Sequence, residues 1–573
     1  MVLIAATAIV KIIGAIYKIP LGNYILGETG MGHFSAAYDL YAPIFTIAMS
    51  GFPLAVAKLV AESMTDGRYK DAVSFFRISK KVFFITGILG TLAILIAMYP
   101  YMWATNNWDA IYPLLAVAPS MLFCCIMASY RGYYEGHRNM IPTGVSSVIE
   151  TLGKAIIGIT LSYITISYGM SNWRTTGKIF GIIAETEEKA TLMLLPYGAA
   201  AAIAGVTLGT VLGMLYLMYY SKKRGNCISK DLLANSLTPR TDRQNIKLLL
   251  LFSFPIVLGA LAQNISGVID AVMVQNRLQA ACDSDLTTVL SSSGITGMVE
   301  NMQDFLKENP PPVFLYGCYK GFVYSFFNLI PTLTTVLGVS ALPNLATAWF
   351  GKDKKAIKTN VESVIRVTSL MVIPIGLIFT VLAQPILQMF YSKRPVGANV
   401  SVSLLQILAI SAIFAGISVP ITSMLQAIGK QKIPVRNLLI GVAIKIVLNY
   451  ILVGIPEINV NGAAYSTIAC YAVILLLNFI SLHRNIRIGY NYFNLLVKPL
   501  IAGIFCAAAG YAAFGLLERM FGNNISLMGA LGIAGIIYIF SVFLIRAIAE
   551  DDIKMLPKGE KFAKTLAKFK FIG

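Results

Sequence analysis

Ile9-Val10-Lys11-Ile12-Ile13-Gly14-Ala15-Ile16-Tyr17-Lys18-Ile19-Pro20-Leu21 reads as a membrane span with two ammonium groups inside it. A Lys or Asp at the bilayer centre costs roughly 2.5–3.5 kcal/mol on insertion scales, so such a residue faces a cavity or a partner. Lys11 and Lys18 are two helical turns apart and project from nearly one face. The next apolar stretch, 34–62, holds Asp39 and Lys58. This hairpin predicts a water-filled, cationic cavity as the functional site. The alternative for Lys18 is that it snorkels to the interface, near which it lies.

Outward from that stretch, the chain keeps the same character. Of its 573 residues, 57% are hydrophobic and 13% charged, against about 25% charged in a soluble domain. Apolar runs of span length recur from end to end. The fold class expected is all-α: a polytopic membrane protein of fourteen transmembrane helices. A transmembrane β-barrel would show alternating segments of about ten residues, and these are absent from the sequence. The spans fall near 1–21, 34–62, 82–103, 111–130, 142–168, 191–220, 248–275, 315–346, 367–390, 399–427, 434–454, 461–482, 496–517 and 525–548. The first lacks a basic leader region and a small-residue cleavage site, so it reads as a retained helix rather than a signal peptide. A short cytoplasmic leader is expected to precede it.

Charge gives the topology. Thirty-two Lys and Arg lie in or at the edges of the connections after even-numbered spans and in the C-terminal tail, against 8 in those after odd-numbered spans. Positive residues mark the cytoplasmic side, so both termini are expected inside. The net charge of +19 then reflects membrane topology, not nucleic-acid binding. The six remaining basic residues are Lys11, Lys18, Lys58, Lys154, Lys320 and Lys445, all within spans. Three His and seven scattered Cys without a C-x-x-C pair leave no metal centre and no cofactor to expect. Cys282 and Cys318 are the one pair that could meet outside the membrane.

The chain repeats itself. Gly136, Pro142 and Lys154 correspond to Gly429, Pro434 and Lys445, and Pro53 and Arg77 to Pro343 and Arg366, at offsets of 289 to 293 residues. Two pseudo-symmetric six-helix bundles in parallel orientation follow, with substrate sites expected between halves of this kind. The organisation expected is an N-terminal bundle at 1–220, a cytoplasmic linker at 221–247, a C-terminal bundle at 248–483, and two extra helices with a basic tail at 484–573. Prolines inside spans, among them Pro43, Pro374 and Pro420, suit helices that bend. Phe562, Leu566 and Phe569 alternate with Lys in the tail, the pattern of a helix lying on the inner leaflet.

Depth sorts the buried charges. At 1.5 Å per residue Lys11 lies about 15 Å from the inner edge of its span. Lys154 and Lys445, each about a dozen residues into an outward-running span, reach a similar depth. Lys18 and Asp39 sit near the outer ends of adjacent spans and could pair. Glu150 precedes Lys154 by one turn, the favourable order for a pair on one helix face. Buried Lys against few acids favour an anionic ligand such as a phosphate. The sequence has no G-x-x-x-x-G-K-[ST], so energy must come from an ion gradient, the membrane potential or the substrate. Asn264, Asp270, Asn437, Asn449 and Thr467 are the candidates for a coupled cation, and Lys445 among them could take the cation's place.

Ile9 to Leu21, as quoted above, is similar to the opening of the SpoVB/YtgP-type polysaccharide transporters. These belong to the multidrug/oligosaccharidyl-lipid/polysaccharide (MOP) exporter superfamily, alongside the MurJ-like lipid II flippases. The resemblance continues through Ser50-Gly51-Phe52-Pro53-Leu54-Ala55-Val56-Ala57-Lys58-Leu59-Val60-Ala61-Glu62, through Ile149-Glu150 with Lys154, and through Leu315-Tyr316-Gly317 with Asn328-Leu329-Ile330-Pro331. It implies two six-helix bundles that move a lipid-linked glycan precursor outward by alternating access in the bacterial cytoplasmic membrane. It also implies substrate contacts at Lys11, Lys18, Lys58 and Lys320, with Asp39 as the acid of the second span. The chain departs from MurJ-like proteins in its use of Lys where they often carry Arg, and in the long connection before the eighth span.

The function expected is a flippase for an undecaprenyl-pyrophosphate-linked precursor, lipid II or a related polysaccharide unit, and not an enzyme. Its partners would be that lipid-linked oligosaccharide, membrane lipids and cell-wall synthesis enzymes, with no nucleic acid, and the chain would act as a monomer. The main alternative is a cation-coupled multidrug exporter. A glycan-assembling enzyme would want paired carboxylates in an external loop; the 276–314 connection lacks them at recognisable spacing.

Overall fold

A computed structural model describes residues 6, 9, 10, 13, 14, 16–46, 52–225, 227–299, 301–486, 489, 491–549 and 552, without the side chains at 52, 230, 254–266, 308, 336, 339–341, 343 and 344. Most of them are helical. The regular strands among them are two residues each, Lys178–Ile179 and Ile182–Ile183, paired antiparallel with Lys178 opposite Ile183.

Ten helices among the described residues are long and apolar enough to cross a membrane. The number fourteen is not confirmed. About half of the first expected span lies outside the described residues. The second is α1 (Gly27–Thr46) and α2 (Phe52–Thr65), with 47–51 between them outside the description. The eighth begins in a π-turn, Gly317–Val323, before its α-helix.

The chain divides into two compact units. Met1–Cys282 with Val299–Gly321 is the first, and Asp283–Met298 with Phe322–Gly573 the second. In the first, α3 (Tyr69–Thr105) and α2 pack on α5 (Ser120–Gly136), which follows the short α4 (Ile111–Val117). The broadest contact joins α6 (Ile141–Thr176) to α7 (Glu187–Arg224). A Cβ on Gly205 would overlap the backbone of Gly158, so these two helices touch backbone to backbone. Thr186 caps α7 by accepting from the Lys189 amide at 3.2 Å. Glu187 and Glu188 fill its first turn, and Lys222, Lys223 and Arg224 its last, matching the helix dipole. Helix α8 (Asp242–Ser292) runs on to a kink at Asp285.

The second unit repeats the pattern. After the short α9 (Pro311–Tyr316) of the first unit come α10 (Tyr324–Phe350), α11 (Lys354–Val381), α12 (Pro395–Ala427), α13 (Lys432–Leu452) and α14 (Asn461–Ile486). Within this unit α10 and α11 pack on α12, α12 on α14, and α13 on α14. These are the counterparts of α2, α3, α5, α6 and α7, and they keep the same neighbours. The pseudo-symmetry expected from the glycines, prolines and lysines is therefore a property of the packing. The two extra helices, α15 (Lys498–Leu517) and α16 (Asn523–Leu544), pack on each other, and α15 packs on α11. Asp552, just past α16, accepts from Arg366 at 2.6 and 2.9 Å and so ties the end of the described chain to α11.

Candidate functional site

The site lies wholly within the first unit and is built on α1. Gly32 of α1 lies so close to Val313, and Gly317 so close to Glu28, that a Cβ at either would overlap the opposing backbone. Only glycine permits that approach. It lays the segment Pro311–Gly317 against α1 and starts the π-turn that carries Lys320. The Lys320 ammonium stands 3.1 Å from Asp270 of α8 and 3.8 Å from Asp39 of α1. The Tyr316 hydroxyl donates to the same Asp39 oxygen. Lys320 and Asp270 are 4% and 3% exposed, so this ion cluster sits in the interior.

A second group adjoins it through Tyr38, the residue before Asp39. The Lys154 ammonium bonds the Tyr38 hydroxyl at 3.3 Å. It also lies 4.7 Å from the centre of the Tyr38 ring and 4.9 Å from that of Tyr17. Lys18 faces the Tyr38 and Phe34 rings at 6.0 and 5.9 Å, and those two rings stack on each other. Cations over aromatic faces are stabilised by the ring quadrupole. With every group ionised, Lys18, Lys154 and Lys320 outnumber Asp39 and Asp270 by one charge. In a low-dielectric interior that excess attracts an anion far more strongly than it would in water.

Other expected residues lie elsewhere. Glu150 does not pair with Lys154; it bonds Arg131 at 2.9 Å, and Arg131 also bonds Ser146 at 3.0 Å. Lys58 is half-exposed, 3.6 Å from Glu62 and 3.9 Å from the centre of the Phe252 ring. Lys11 lies outside the described residues, as does the side chain of Asn264. In the second unit, Asn437, Lys445 and Asn449 form a buried row at spacings of eight and four residues on α13. Asn437 bonds Asn478 at 2.9 Å and Asn449 accepts from Ser466, both partners on α14. Thr467 bonds its own helix at Ala463. Of the cation-coupling candidates, Asp270 thus joins Lys320 and Asp39 in the first unit. Cys318 is buried and Cys282 half-buried.

Sequence reasoning missed Tyr17, Tyr38, Tyr316 and Arg131. The first two stand next to Lys18 and Asp39 in the chain, a signal that could have been used. Arg131 sits at the inner end of its span, where it passed for a loop residue. A further buried chain was also missed: His33 meets Asn107 at 2.9 Å, and Asn107 donates to Gln275 at 3.2 Å.

Comparison with known proteins agrees with this architecture. The family described as polysaccharide biosynthesis protein matches residues 1–171, and the MatE family matches residues 320–451. Each match falls on one repeat. Stage V sporulation protein B of Bacillus subtilis is 23% identical over 97% of this chain and 96% of its own length. The lipid II flippase MurJ of the same organism is 24% identical over 89% of this chain and 86% of its own. Among solved structures, the lipid II flippase MurJ in an inward closed conformation superposes with a TM-score of 0.62 at 15% identity, over 95% of this chain and 98% of that one. An inward-facing multidrug resistance MATE family transporter of the MOP superfamily gives 0.57 at 13% identity, over 82% and 98%. The fold and these relatives define a multi-span membrane transporter. The chain is similar along most of its length to these transporters. Relatives whose names state an activity, a flippase and multidrug transporters, move substrates rather than transform them, in line with the expectation that this protein is not an enzyme.

Proposed function

We propose that this protein carries an undecaprenyl-pyrophosphate-linked glycan precursor, lipid II or a related polysaccharide unit, outward across the bacterial cytoplasmic membrane by alternating access. The observation behind this reading is the cation excess of the partly buried cluster around Tyr38 and Asp39. A diphosphate carries the charge and the acceptor oxygens that Lys18, Lys154 and Lys320 would meet. The similarity to the lipid II flippase of Bacillus subtilis supports the same class of substrate. Lys11 and Lys58 extend the proposed path, and both termini are cytoplasmic. Removing one ammonium–phosphate bond should weaken binding by about 1.5–3 kcal/mol. In a strain depleted of its lipid II flippase, the wild-type chain should restore growth, and Lys18→Ala and Lys154→Ala should not while accumulating normally. Full growth with both variants sinks the assignment.

A second reading, a cation-coupled multidrug exporter, draws on the MatE match over residues 320–451, on the buried Asp270 and on the partly buried Asp39. It requires ion-dependent efflux of cationic dyes that survives Lys154→Ala.

A further inference from the structure

Ser74-Phe75-Phe76-Arg77 in α3 and Ser363-Val364-Ile365-Arg366 in α11 stand 289 residues apart, the spacing of the internal repeat. In each, serine and arginine are three positions apart and share one helix face. In α11 this element holds an anion. Asp552 accepts from the Arg366 guanidinium at 2.6 and 2.9 Å and from the Ser363 hydroxyl. That carboxylate comes from beyond α15 and α16, the two helices without a counterpart in the first repeat. In α3, Ser74 donates to Asp242 at 3.0 Å, but Arg77 is exposed.

Arg77 opens a basic patch. Lys80 and Lys81 follow one turn on, and both are exposed. The Lys80 ammonium lies 4.3 Å from the centre of the Phe76 ring and 5.7 Å from that of Tyr130, which fixes an otherwise mobile side chain. Asp71, earlier in α3, is buried and accepts from the Arg240 amide at 2.9 Å. None of the ion pairs among the described residues includes Arg77, Lys80 or Lys81.

The patch runs into an apolar stripe. Phe84, Ile85, Ile88 and Leu92 are exposed at helical spacing, and Tyr99 and Trp103 end the row. Helix α3 is also the least buried of the ten candidate spans. Lys81 and Tyr99 are 18 positions apart, about 27 Å of helix at 1.5 Å per residue, close to the hydrocarbon thickness of about 30 Å. With the stripe against acyl chains, the basic patch stands at the phosphates of one leaflet and the aromatic pair at the opposite interface. The loop charge bias predicts that the basic end is cytoplasmic.

We propose that Arg77, Lys80 and Lys81 bind the phosphodiester headgroup of an anionic phospholipid in the inner leaflet, as Arg366 binds the Asp552 carboxylate in the second repeat. The guanidinium offers paired donors to the phosphate oxygens, and the two ammonium groups add point charges. The acyl chains of the same lipid lie along Phe84, Ile85 and Ile88. A zwitterionic headgroup brings its own ammonium against three cations and is disfavoured. Inorganic phosphate meets the charges without the stripe and binds more weakly. The site does not depend on which substrate the protein carries.

Native mass spectrometry of the delipidated full chain in a non-ionic detergent, titrated with dioleoylphosphatidylglycerol, tests this. The wild type should take up one such lipid at least about tenfold more tightly than dioleoylphosphatidylcholine. Arg77→Gln should weaken that binding about five-fold, and the triple variant with Lys80→Gln and Lys81→Gln roughly a hundredfold. These side chains are exposed, so the melting temperature should not change. Lys222→Gln, Lys223→Gln and Arg224→Gln together remove the same charge at the end of α7 and should leave the affinity within about two-fold. Arg366→Gln should lower the melting temperature and likewise leave the affinity unchanged. An equal loss in the α7 triple variant would mean diffuse attraction to a basic surface and overturns the site. Equal affinity for the two lipids, or full displacement by millimolar inorganic phosphate, overturns it as well. A wild-type dimer that disappears in the α3 triple variant assigns this face to a second copy of the chain instead.

Discussion

The Lys320 ammonium lies 3.1 Å from the Asp270 carboxylate, with both side chains buried. Breaking a buried pair leaves an uncompensated charge and costs about 3–5 kcal/mol. Lys320→Met should therefore lower the thermal unfolding temperature in detergent markedly. Asp270→Asn in the same chain removes one of the stranded carboxylates and should restore a large part of the loss. A double variant whose loss equals the sum of the single losses shows that the two residues do not interact.

Arg131 and Glu150 form another interior pair, joining α5 to α6 at 2.9 Å. Their side chains are 8% and 18% exposed, so solvent weakens this pair relative to Lys320–Asp270. Either Arg131→Met or Glu150→Gln should cost about 2 kcal/mol, below the range for fully buried pairs. Because Glu150 serves Arg131 and not Lys154, Glu150→Gln should leave diphosphate affinity within a few-fold of wild type. A large loss of affinity with intact stability would place Glu150 in the binding site instead.

The fold was legible because its signals are local or periodic. Span length, the loop charge bias and the recurrence of Gly136, Pro142 and Lys154 as Gly429, Pro434 and Lys445 all read directly from the chain. The buried charges were legible too, since Lys154, Lys320, Asp39 and Asp270 interrupt apolar runs. Their partners were not. Lys320 meets Asp39 from 281 positions away in the chain, an approach that depends on Gly32 and Gly317 letting two backbones touch. One-turn spacing suggested Glu150–Lys154, but Arg131 from the neighbouring helix offers a forked donor and takes the acid. Lys58 read as buried from its place in an apolar run, yet Glu62 one turn on and the face of Phe252 hold it at a half-exposed position.

Tyr38 holds two ammonium groups, one by its hydroxyl and both by its ring. Tyr38→Phe keeps the ring and loses the bond to Lys154, a change of about 1 kcal/mol, or roughly five-fold in affinity for an undecaprenyl-pyrophosphate-linked precursor. Tyr38→Ala loses the cation–ring attraction as well, worth about 0.5–2 kcal/mol for each ammonium. The order wild type, Phe, Ala should appear in calorimetric dissociation constants. Equal affinity for Phe and Ala would mean that the ring does not position the lysines.

The contact of α6 with α7 depends on missing side chains. Gly205→Ala puts a methyl group into the Gly158 backbone, which cannot rotate away as a side chain could. Overpacking of this kind costs about 1–3 kcal/mol. A matching Gly532→Ala in α16 meets nothing within 4 Å and should be neutral or slightly stabilising, since Ala favours helix. Thermal melts of the two variants in the same detergent give the comparison, and equal melting temperatures would remove close helix approach as the reason for glycine at 205.

Topology can be read from one thiol. Cys227 is exposed in the basic connection between α7 and α8, whereas Cys124, Cys125, Cys318, Cys470 and Cys506 are buried. The loop charge bias predicts that Cys227 lies on the cytoplasmic side. Partial burial pushes its thiol above the ordinary range, with Arg224 opposing, so a maleimide should react faster as pH rises and more thiolate forms. Labelling at about pH 8.5 gives a usable rate. In a Cys282→Ser background, which removes the half-buried thiol, a membrane-impermeant maleimide should leave intact cells unlabelled and label the chain once the membrane is opened. Labelling of intact cells at Cys227 would invert the topology, and with it the outward direction assigned to transport.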